Sequence, residues 1–315
     1  MHLAVARGLL PAGRRARQIG ATALQIFSDN PTAWRRRPEP PADAPAFVEY
    51  CARAGIAPIA IHASYLINLA GTAEPFASQS RAGLSYELQR APAYGATLVN
   101  THIGSHRGMG RQAGLTRIAE NVAAILGAGP PGVRLVLENA SGGGDQLGSR
   151  IEELAQILER VAILSPGDVE RLAFCLDTAH VWGAGYDISD ARRAELVIDR
   201  FAELVGLDRL PLVHLNDSRS PLGSRGDRHE HVGAGRIGPA GLAGFLCDGR
   251  LASASTAFML ETPGVDDGYD AINMRRAWLL YHGADQLPLL PSRAFRLTRR
   301  STRHGPPRPA KADRP

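Results

Sequence analysis

The chain has 315 residues, of which 44% are hydrophobic and 21% charged, a composition typical of a globular protein. No apolar run approaches the roughly 18 residues of a membrane span, and three widely separated cysteines do not predict a disulfide framework. Lysine occurs once, as Lys311, which excludes Schiff-base and phosphate-loop lysine chemistry from the body of the chain.

The net charge of +5 at pH 7 is unevenly distributed. Residues 292–315 hold eight basic side chains and one acidic one, so the rest of the chain has a slightly negative net charge. Because the segment from residue 288 onward is rich in Pro and Arg and lacks periodicity, we predict one folded domain over 1–287 and a disordered basic tail over 288–315. Attraction to polyphosphate and a merely solubilising role remain open for this tail.

Short apolar runs alternate with helical patterns along the body of the chain. A helical pattern at 5–19 precedes the first run. The apolar runs predict strands at 22–27, 57–61, 97–101, 133–137, 172–176, 210–215 and 256–260. The helical patterns that follow them lie near 43–54, 76–93, 113–126, 150–164, 190–205, 238–247 and 269–282. This alternation predicts an α/β fold with a parallel sheet covered by helices.

Seven strands behind a leading helix look like a (β/α)8 (TIM) barrel whose first strand is truncated or missing at the N-terminus. An open seven-stranded sheet would expose two edges. We therefore expect either a true start upstream of Met1 or a segment that covers the gap.

Six successive predicted strands each carry, at their end or directly after it, a residue type that binds metals. These residues are His62, His102, Glu138, Asp177, His214 and Glu261. The carboxyl ends of barrel strands converge on one face, so these side chains are expected to share a site. One such residue alone would more often be a cap or a satisfied core residue.

Two local patterns add three further candidate ligands. His180 follows Asp177 at the end of a strand, and Asp227 and His229 are spaced by two in an extended segment, so each pair can face one side. Nine mixed nitrogen and oxygen donors exceed the needs of one zinc ion, so the sequence predicts two or three ions, Zn²⁺ above all, with Mn²⁺ compatible at one position.

Bound divalent ions would make this face positive, which favours a phosphodiester substrate. Arginines follow the strands at the same end, and their guanidinium groups suit phosphate contacts. Among them are Arg35, Arg225 and Arg228. Any one of these arginines could equally be a solvated surface charge.

Several longer segments resemble the endonuclease IV family of apurinic/apyrimidinic endonucleases. They are HASYLINL (62–69), NTHIGSH (100–106), LENASGGGDQLG (137–148), CLDTAHVWGAGYD (175–187), HLNDSRSPLGSRGDRHEHVGAGRIG (214–238) and LETP (260–263). The resemblance runs from about residue 20 to residue 265 and implies a TIM barrel that holds three zinc ions. One departure is Thr32, which stands where the family often has an arginine; Arg35 or Arg36 is a candidate substitute.

The resemblance also implies ligand sets and roles. The first zinc would have His62, His102 and Glu138; the second Glu138, Asp177, His214 and Glu261; the third His180, Asp227 and His229. Glu261 and Glu138 would be catalytic, orienting a hydroxide between the first two ions, and Tyr65 and Leu66 would wedge into the duplex or simply pack their loop.

The implied activity is base excision repair by hydrolysis of the phosphodiester 5′ to an abasic site, leaving 3′-hydroxyl and 5′-deoxyribose phosphate ends. The expected partner is double-stranded DNA with abasic sites or blocked 3′ ends, bound by a monomer in the cytoplasm at the nucleoid, with no membrane and no obligate protein partner. A metal-dependent sugar isomerase on the same barrel type is the alternative, and a catalytically silent DNA-binding protein is a third hypothesis. The number of bound metals separates the first two.

Overall fold

The computed structural model describes residues 1–265, 267–284 and 286–295. The strands are β1 (Leu24–Phe27), β2 (Ile59–His62), β3 (Leu98–His102), β4 (Arg134–Glu138), β5 (Leu172–Asp177), β6 (Leu212–His214), β7 (Asp217–Ser218), β8 (His229–Glu230) and β9 (Ala257–Met259). The helices are α1 (Leu9–Gln18), α2 (Ala44–Ala54), α3 (Phe76–Arg90), α4 (Arg111–Ala128), α5 (Ile151–Leu164), α6 (Thr178–Gly183), α7 (Ala191–Leu204), α8 (Gly238–Leu246), α9 (Gly249–Ser253) and α10 (Asp270–Tyr281). None of the helices in the described ranges is long and apolar enough to cross a bilayer.

Seven of the strands form one parallel sheet in the order β1-β2-β3-β4-β5-β6-β9, and the short β7 and β8 pair antiparallel beside it. The sheet curls into a nearly closed barrel with its helices outside, which confirms the predicted TIM barrel.

The gap between β1 and β9 is covered by the first three residues of the chain. His2 forms a parallel bridge with Gln25, and its backbone N–H donates to the Leu260 carbonyl at 2.9 Å. On the other side, the Leu3 N–H donates to the Gln25 carbonyl and the Gln25 N–H to the Met1 carbonyl. The structure thus has a short bridging segment in place of a full first strand, as predicted, and this segment joins the two sheet edges.

The barrel interior is filled in layers that follow the two-residue period of the strands. Below the carboxyl ends, inward-facing side chains form a small apolar cluster of Ala23, Ala60, Leu98, Val136, Ala173, Cys175, Leu212 and Met259. Two residues further along the same strands, this inward face carries His62, Glu138, Asp177 and His214. Alternation thus gives each strand an apolar residue in the interior and a polar one at the carboxyl end of the barrel, called the mouth below.

The predicted tail begins at residue 288, but its first part packs on the barrel. The Arg276 guanidinium contacts the Pro288 carbonyl, and the Ala294 side chain is buried. The remaining residues, 296–315, lie outside the described part of the chain, and so does the prediction of disorder that concerns them.

Candidate metal centre

Five of the predicted ligands lie side by side at the carboxyl ends of neighbouring strands. His62, His102, Glu138, Asp177 and His214 are each the last residue of their strand. Parallel pairing places His102 opposite Glu138 and Asp177 opposite His214. The ligands are therefore brought together by sheet register alone, and all except His102 are buried.

Two groups of potential ligand atoms form around Glu138. In the first, the Nε2 atoms of His62 and His102 lie 3.5 and 3.6 Å from the two Glu138 carboxylate oxygens. In the second, His214 Nδ1 lies 3.4 Å from Glu138 Oε1, 3.3 Å from Glu261 Oε2 and 3.8 Å from Asp177 Oδ2. Within each group the potential ligand atoms lie within 4.8 Å of one another.

A third group forms where β5 turns into α6. Asp177 caps this helix by accepting hydrogen bonds from the backbone N–H groups of Ala179 and His180, which turns the His180 ring towards the mouth. His180 Nε2 and His229 Nε2 each lie 3.2 Å from Asp227. His229 Nε2 also lies 3.4 Å from Asp177, so this carboxylate borders both the second and the third group.

The loop that carries Asp227 and His229 is fixed by Asp217 in β7. The buried Asp217 carboxylate accepts hydrogen bonds from the backbone N–H groups of Gly235 at 2.9 Å and Ile237 at 3.0 Å. A Cβ on Gly235 would lie 2.4 Å from the same carboxylate, so only glycine lets the chain approach this closely. The long 216–237 loop is thus pinned at both ends.

Four of the five histidines donate one ring N–H to an acceptor of the fold. His62 donates to the Ala63 carbonyl, His180 to the Asn139 carbonyl, His229 to the Glu261 carbonyl and His214 to the Gln25 side-chain oxygen, at 2.8 to 3.0 Å. Each of these bonds fixes a tautomer and leaves the other ring nitrogen facing the carboxylates. Metal-bound histidines are held in this way in proteins.

These residues fit divalent ions with mixed nitrogen and oxygen ligation. Within the part of the chain that the structure describes, Glu138 Oε1, His214 Nδ1 and His229 Nε2 are buried and have no hydrogen-bond partner. Buried polar atoms without a partner are costly, and all three face the groups just described. The combination of imidazole and carboxylate donors suits Zn²⁺.

The electrostatics of the cluster are consistent with displacement of protons by a cation. Burial acts to lower the pKa of His180, but the carboxylates of Asp177 and Asp227 outweigh burial and raise this pKa to about 10. Burial acts to raise the pKa of Glu138, but His214 and His102 outweigh it and hold the pKa well below the ordinary value. Glu138 is therefore ionised, and the proton on His180 is one that a cation would release.

Several buried amides that the sequence analysis did not single out hold the carboxylates in place. Asn100 donates to Glu138 at 2.6 Å, and Asn216 donates to Asp177 at 2.6 Å. Asn139 accepts the backbone N–H of Asp177. Asn100 lies inside a predicted strand, and Asn139 and Asn216 lie within two residues after one. The signal in the sequence that could have identified them is a polar residue that does not bind metals at such a position.

The predicted DNA contacts lie on the surface of the protein. Tyr65 is 52% exposed and Leu66 37% exposed. Arg35, Arg225 and Arg228 are exposed. A cavity of about 250 Å³ joins this surface to the cluster, and its lining includes Tyr65, Leu66, His102, Glu138, His180 and Asp227. The apolar residues of the 62–69 loop therefore stand at the entrance to the candidate metal centre.

Comparison with known proteins places this geometry in a family. A protein-family profile described as a xylose isomerase-like TIM barrel matches residues 14–279. The probable endonuclease 4 of Chloroflexus aurantiacus is 37% identical over 286 residues, which cover 90% of this chain and 98% of the relative. The probable endonuclease 4 of Halorhodospira halophila is 40% identical over 270 residues, covering 85% of this chain and 89% of the relative.

Solved structures agree. The crystal structure of endonuclease IV from Thermus thermophilus superposes with a TM-score of 0.76 at 38% identity, covering 90% of this chain and 98% of that one. A D-tagatose 3-epimerase-like protein superposes with a TM-score of 0.64 at 17% identity, covering 90% and 96%, and shows a shared fold only. On the strength of the profile and of relatives that match almost end to end, this chain belongs to the endonuclease 4 family of xylose isomerase-like TIM barrels.

Proposed function

We propose that the protein is a DNA repair endonuclease that hydrolyses the phosphodiester 5′ to an abasic site, leaving a 3′-hydroxyl and a 5′-deoxyribose phosphate. The observation that carries this proposal is the convergence of nine nitrogen and oxygen donors at the mouth of a barrel whose sequence belongs to the endonuclease 4 family. The single lysine of the chain, Lys311, supports hydrolysis, since cleavage by β-elimination normally uses an amine.

The three groups of donors would hold three Zn²⁺ ions, with Mn²⁺ compatible at one of them. His62, His102 and Glu138 would bind the first, Glu138, Asp177, His214 and Glu261 the second, and His180, Asp227 and His229 the third. Ions bound there would polarise the phosphate, stabilise the charge that develops on it and lower the pKa of water.

Within this site Glu138 and Glu261 are the proposed catalytic residues. The pKa values of both carboxylates lie below the ordinary value, because neighbouring histidines together outweigh the opposing effect of burial: His214 and His102 for Glu138, and His214 and His2 for Glu261. Each can therefore accept a hydrogen bond from a water molecule and orient it towards a phosphorus atom in the cavity. Their oxygens lie 3.4 and 3.3 Å from the same His214 nitrogen, so one water can contact both.

The entrance of the cavity supports recognition of a lesion rather than of intact DNA. An abasic nucleotide has no base to unstack, so its rotation out of the helix costs less than that of a normal nucleotide. Tyr65 and Leu66, which stand exposed beside the cavity, would fill the space that the lesion leaves in the duplex. Arg35, Arg225 and Arg228 would contact the phosphates on either side.

We further propose that the protein acts as a monomer on DNA at the nucleoid, in the cytoplasm, on abasic sites and blocked 3′ ends. This follows from the expected substrate and from a site whose donors all come from one chain.

Incision of a duplex that contains one tetrahydrofuran residue tests the proposed function, because this analogue resists β-elimination but not hydrolysis. We expect cleavage on its 5′ side by the zinc-loaded protein, with about three zinc ions per chain by atomic emission. Glu261→Gln should abolish incision while most of the zinc is retained. Absence of incision by the wild-type protein, or interconversion of sugars at one or two Mn²⁺ or Mg²⁺ per chain, would overturn the proposal in favour of the isomerase.

A further inference from the structure

Gln25 is a buried amide in the middle of the apolar strand β1. It faces the barrel interior between Ala23, which belongs to the apolar cluster, and Phe27, and its relative exposure is 0%. A buried amide in an apolar strand is costly unless both of its ends are hydrogen-bonded. Its partners therefore indicate why the position carries this residue.

Both ends of the Gln25 amide contact candidate ligands of the second group. Its Nε2 donates to Glu261 Oε1 at 2.7 Å, and its Oε1 accepts a hydrogen bond from His214 Nε2 at 3.0 Å. Both partners lie far from Gln25 in the sequence, 236 and 189 residues further along the chain. The amide thus joins strand β1 to the ends of β6 and β9 across the interior of the barrel.

The chemistry of an amide fixes how each partner must face. A carbonyl oxygen can only accept, so the contact with His214 places the proton on Nε2 and leaves the Nδ1 lone pair directed at Glu138 and Glu261. Donation to Glu261 Oε1 holds that oxygen away from the centre and leaves Oε2 facing His214 Nδ1 at 3.3 Å. His2 supports the same arrangement, since its Nδ1 lies 2.8 Å from Glu261 Oε1.

We propose that Gln25 is a positioning residue that selects the metal-binding tautomer of His214 and the orientation of Glu261, and so sets the affinity of the second metal position. The expected effect on catalysis rests on the function proposed above, whereas the expected effect on metal affinity does not. In the described part of the chain, Gln25 is the residue whose side-chain amide hydrogen-bonds to the side chains of both His214 and Glu261. Loss of a residue that orients a metal ligand typically costs about 10- to 100-fold in metal affinity or activity.

Gln25→Leu tests this role, because leucine retains the volume and the burial but removes both hydrogen bonds. Zinc affinity is measured on the full chain by competition with a chromogenic chelator, without DNA, and kcat and KM on tetrahydrofuran DNA. We expect one zinc ion to be bound about 10- to 100-fold more weakly, with a lower kcat and an unchanged KM for DNA. Gln25→Glu keeps the acceptor for His214 but places a second carboxyl group against Glu261, so we expect it to restore part of the zinc affinity.

The matched control is Gln79→Leu, which makes the same exchange on helix α3, outside the barrel. It should leave zinc affinity and kcat unchanged. Wild-type zinc affinity in Gln25→Leu would overturn the proposal. A fall in the melting temperature of the metal-free protein that is large enough to account by itself for the loss of zinc affinity would also overturn it. If the wild-type protein binds zinc but does not incise abasic DNA, the proposed function fails while the zinc competition still decides the role of Gln25.

Discussion

Glu87 on helix α3 is a buried carboxyl group whose charge state should control the stability of the barrel with pH. It contacts the Ser28 hydroxyl, and its Oε1 lies 3.6 Å from Arg36 Nε. Burial raises the Glu87 pKa from 4.5 to about 7, and the opposing effects of Ser28 and Arg36 do not cancel it. Because this pKa is higher in the folded than in the unfolded state, the stabilising contribution is fully present below pH 4.5 and is lost as the pH rises through 7.

The size of this effect follows from the two pKa values. A rise from 4.5 to about 7 corresponds to about 3 kcal/mol, of which roughly 2.5 kcal/mol falls between pH 5 and pH 8. Glu87→Gln keeps the neutral shape at every pH and should remove this dependence. The variant should therefore match the wild-type free energy of unfolding near pH 5 and exceed it near pH 8.

Urea unfolding of the metal-free proteins at pH 5 and pH 8 measures the difference. Histidine titration affects both proteins equally and cancels in the comparison. Glu49→Gln is the matched control, since Glu49 is exposed and pairs with Arg53 one helical turn away on the protein surface. An identical pH dependence in wild type and Glu87→Gln would refute the reasoning, as would a loss of the dependence in the control.

Three further predictions concern the candidate metal centre and the tail. His180→Ala should reduce the zinc content by one ion per chain, and an unchanged content by atomic emission would show that His180 is not a ligand. Asp217→Ala should destabilise the protein by about 3 kcal/mol in urea unfolding, because the buried N–H groups of Gly235 and Ile237 lose their acceptor, and a loss under about 1 kcal/mol would contradict this. Deletion of 296–315 should reduce the slope of log binding constant against log salt concentration for duplex DNA, and an unchanged slope would assign the tail no contact with phosphate.

The barrel could be predicted because its elements have strong local signals. The seven predicted strands lie within about two residues of the observed ones, since buried parallel strands read as continuous apolar runs. The short elements α6, β7 and β8 were missed. Two-residue strands are too short to show a periodicity in the sequence. β7 and β8 belong to the loop that the buried Asp217 carboxylate holds by hydrogen bonds in the folded protein. Residues 1–3 are likewise too short a segment to show a strand pattern, so the sequence left their covering of the gap as one of two alternatives.

The candidate ligands were predictable from their positions, whereas the residues that orient them were not. A histidine or carboxylate at each of six strand ends is a pattern visible in the sequence, and the structure brings all of these side chains together. Asn139 and Asn216 follow strands, where asparagine is an ordinary turn residue, so their contacts with Asp177 and the neighbouring backbone could not be foreseen. Gln25 and Asn100 carried a signal, as amides inside apolar strands, but the partners of Gln25 depend on the closure of the barrel.

The local fold and the candidate metal centre depend on the same atoms. Asp177 Oδ1 accepts the hydrogen bonds that begin helix α6, while Oδ2 faces His229 and accepts a hydrogen bond from Asn216. The cap fixes the orientation of this carboxylate, and a metal ligand needs the same fixed orientation, so the hydrogen bonds that begin α6 already place Oδ2 where ligation requires it. Since the histidines also donate their outer N–H groups to acceptors of the fold, the donors are aligned before any cation binds. A cation that binds there therefore displaces protons rather than reorganising the chain.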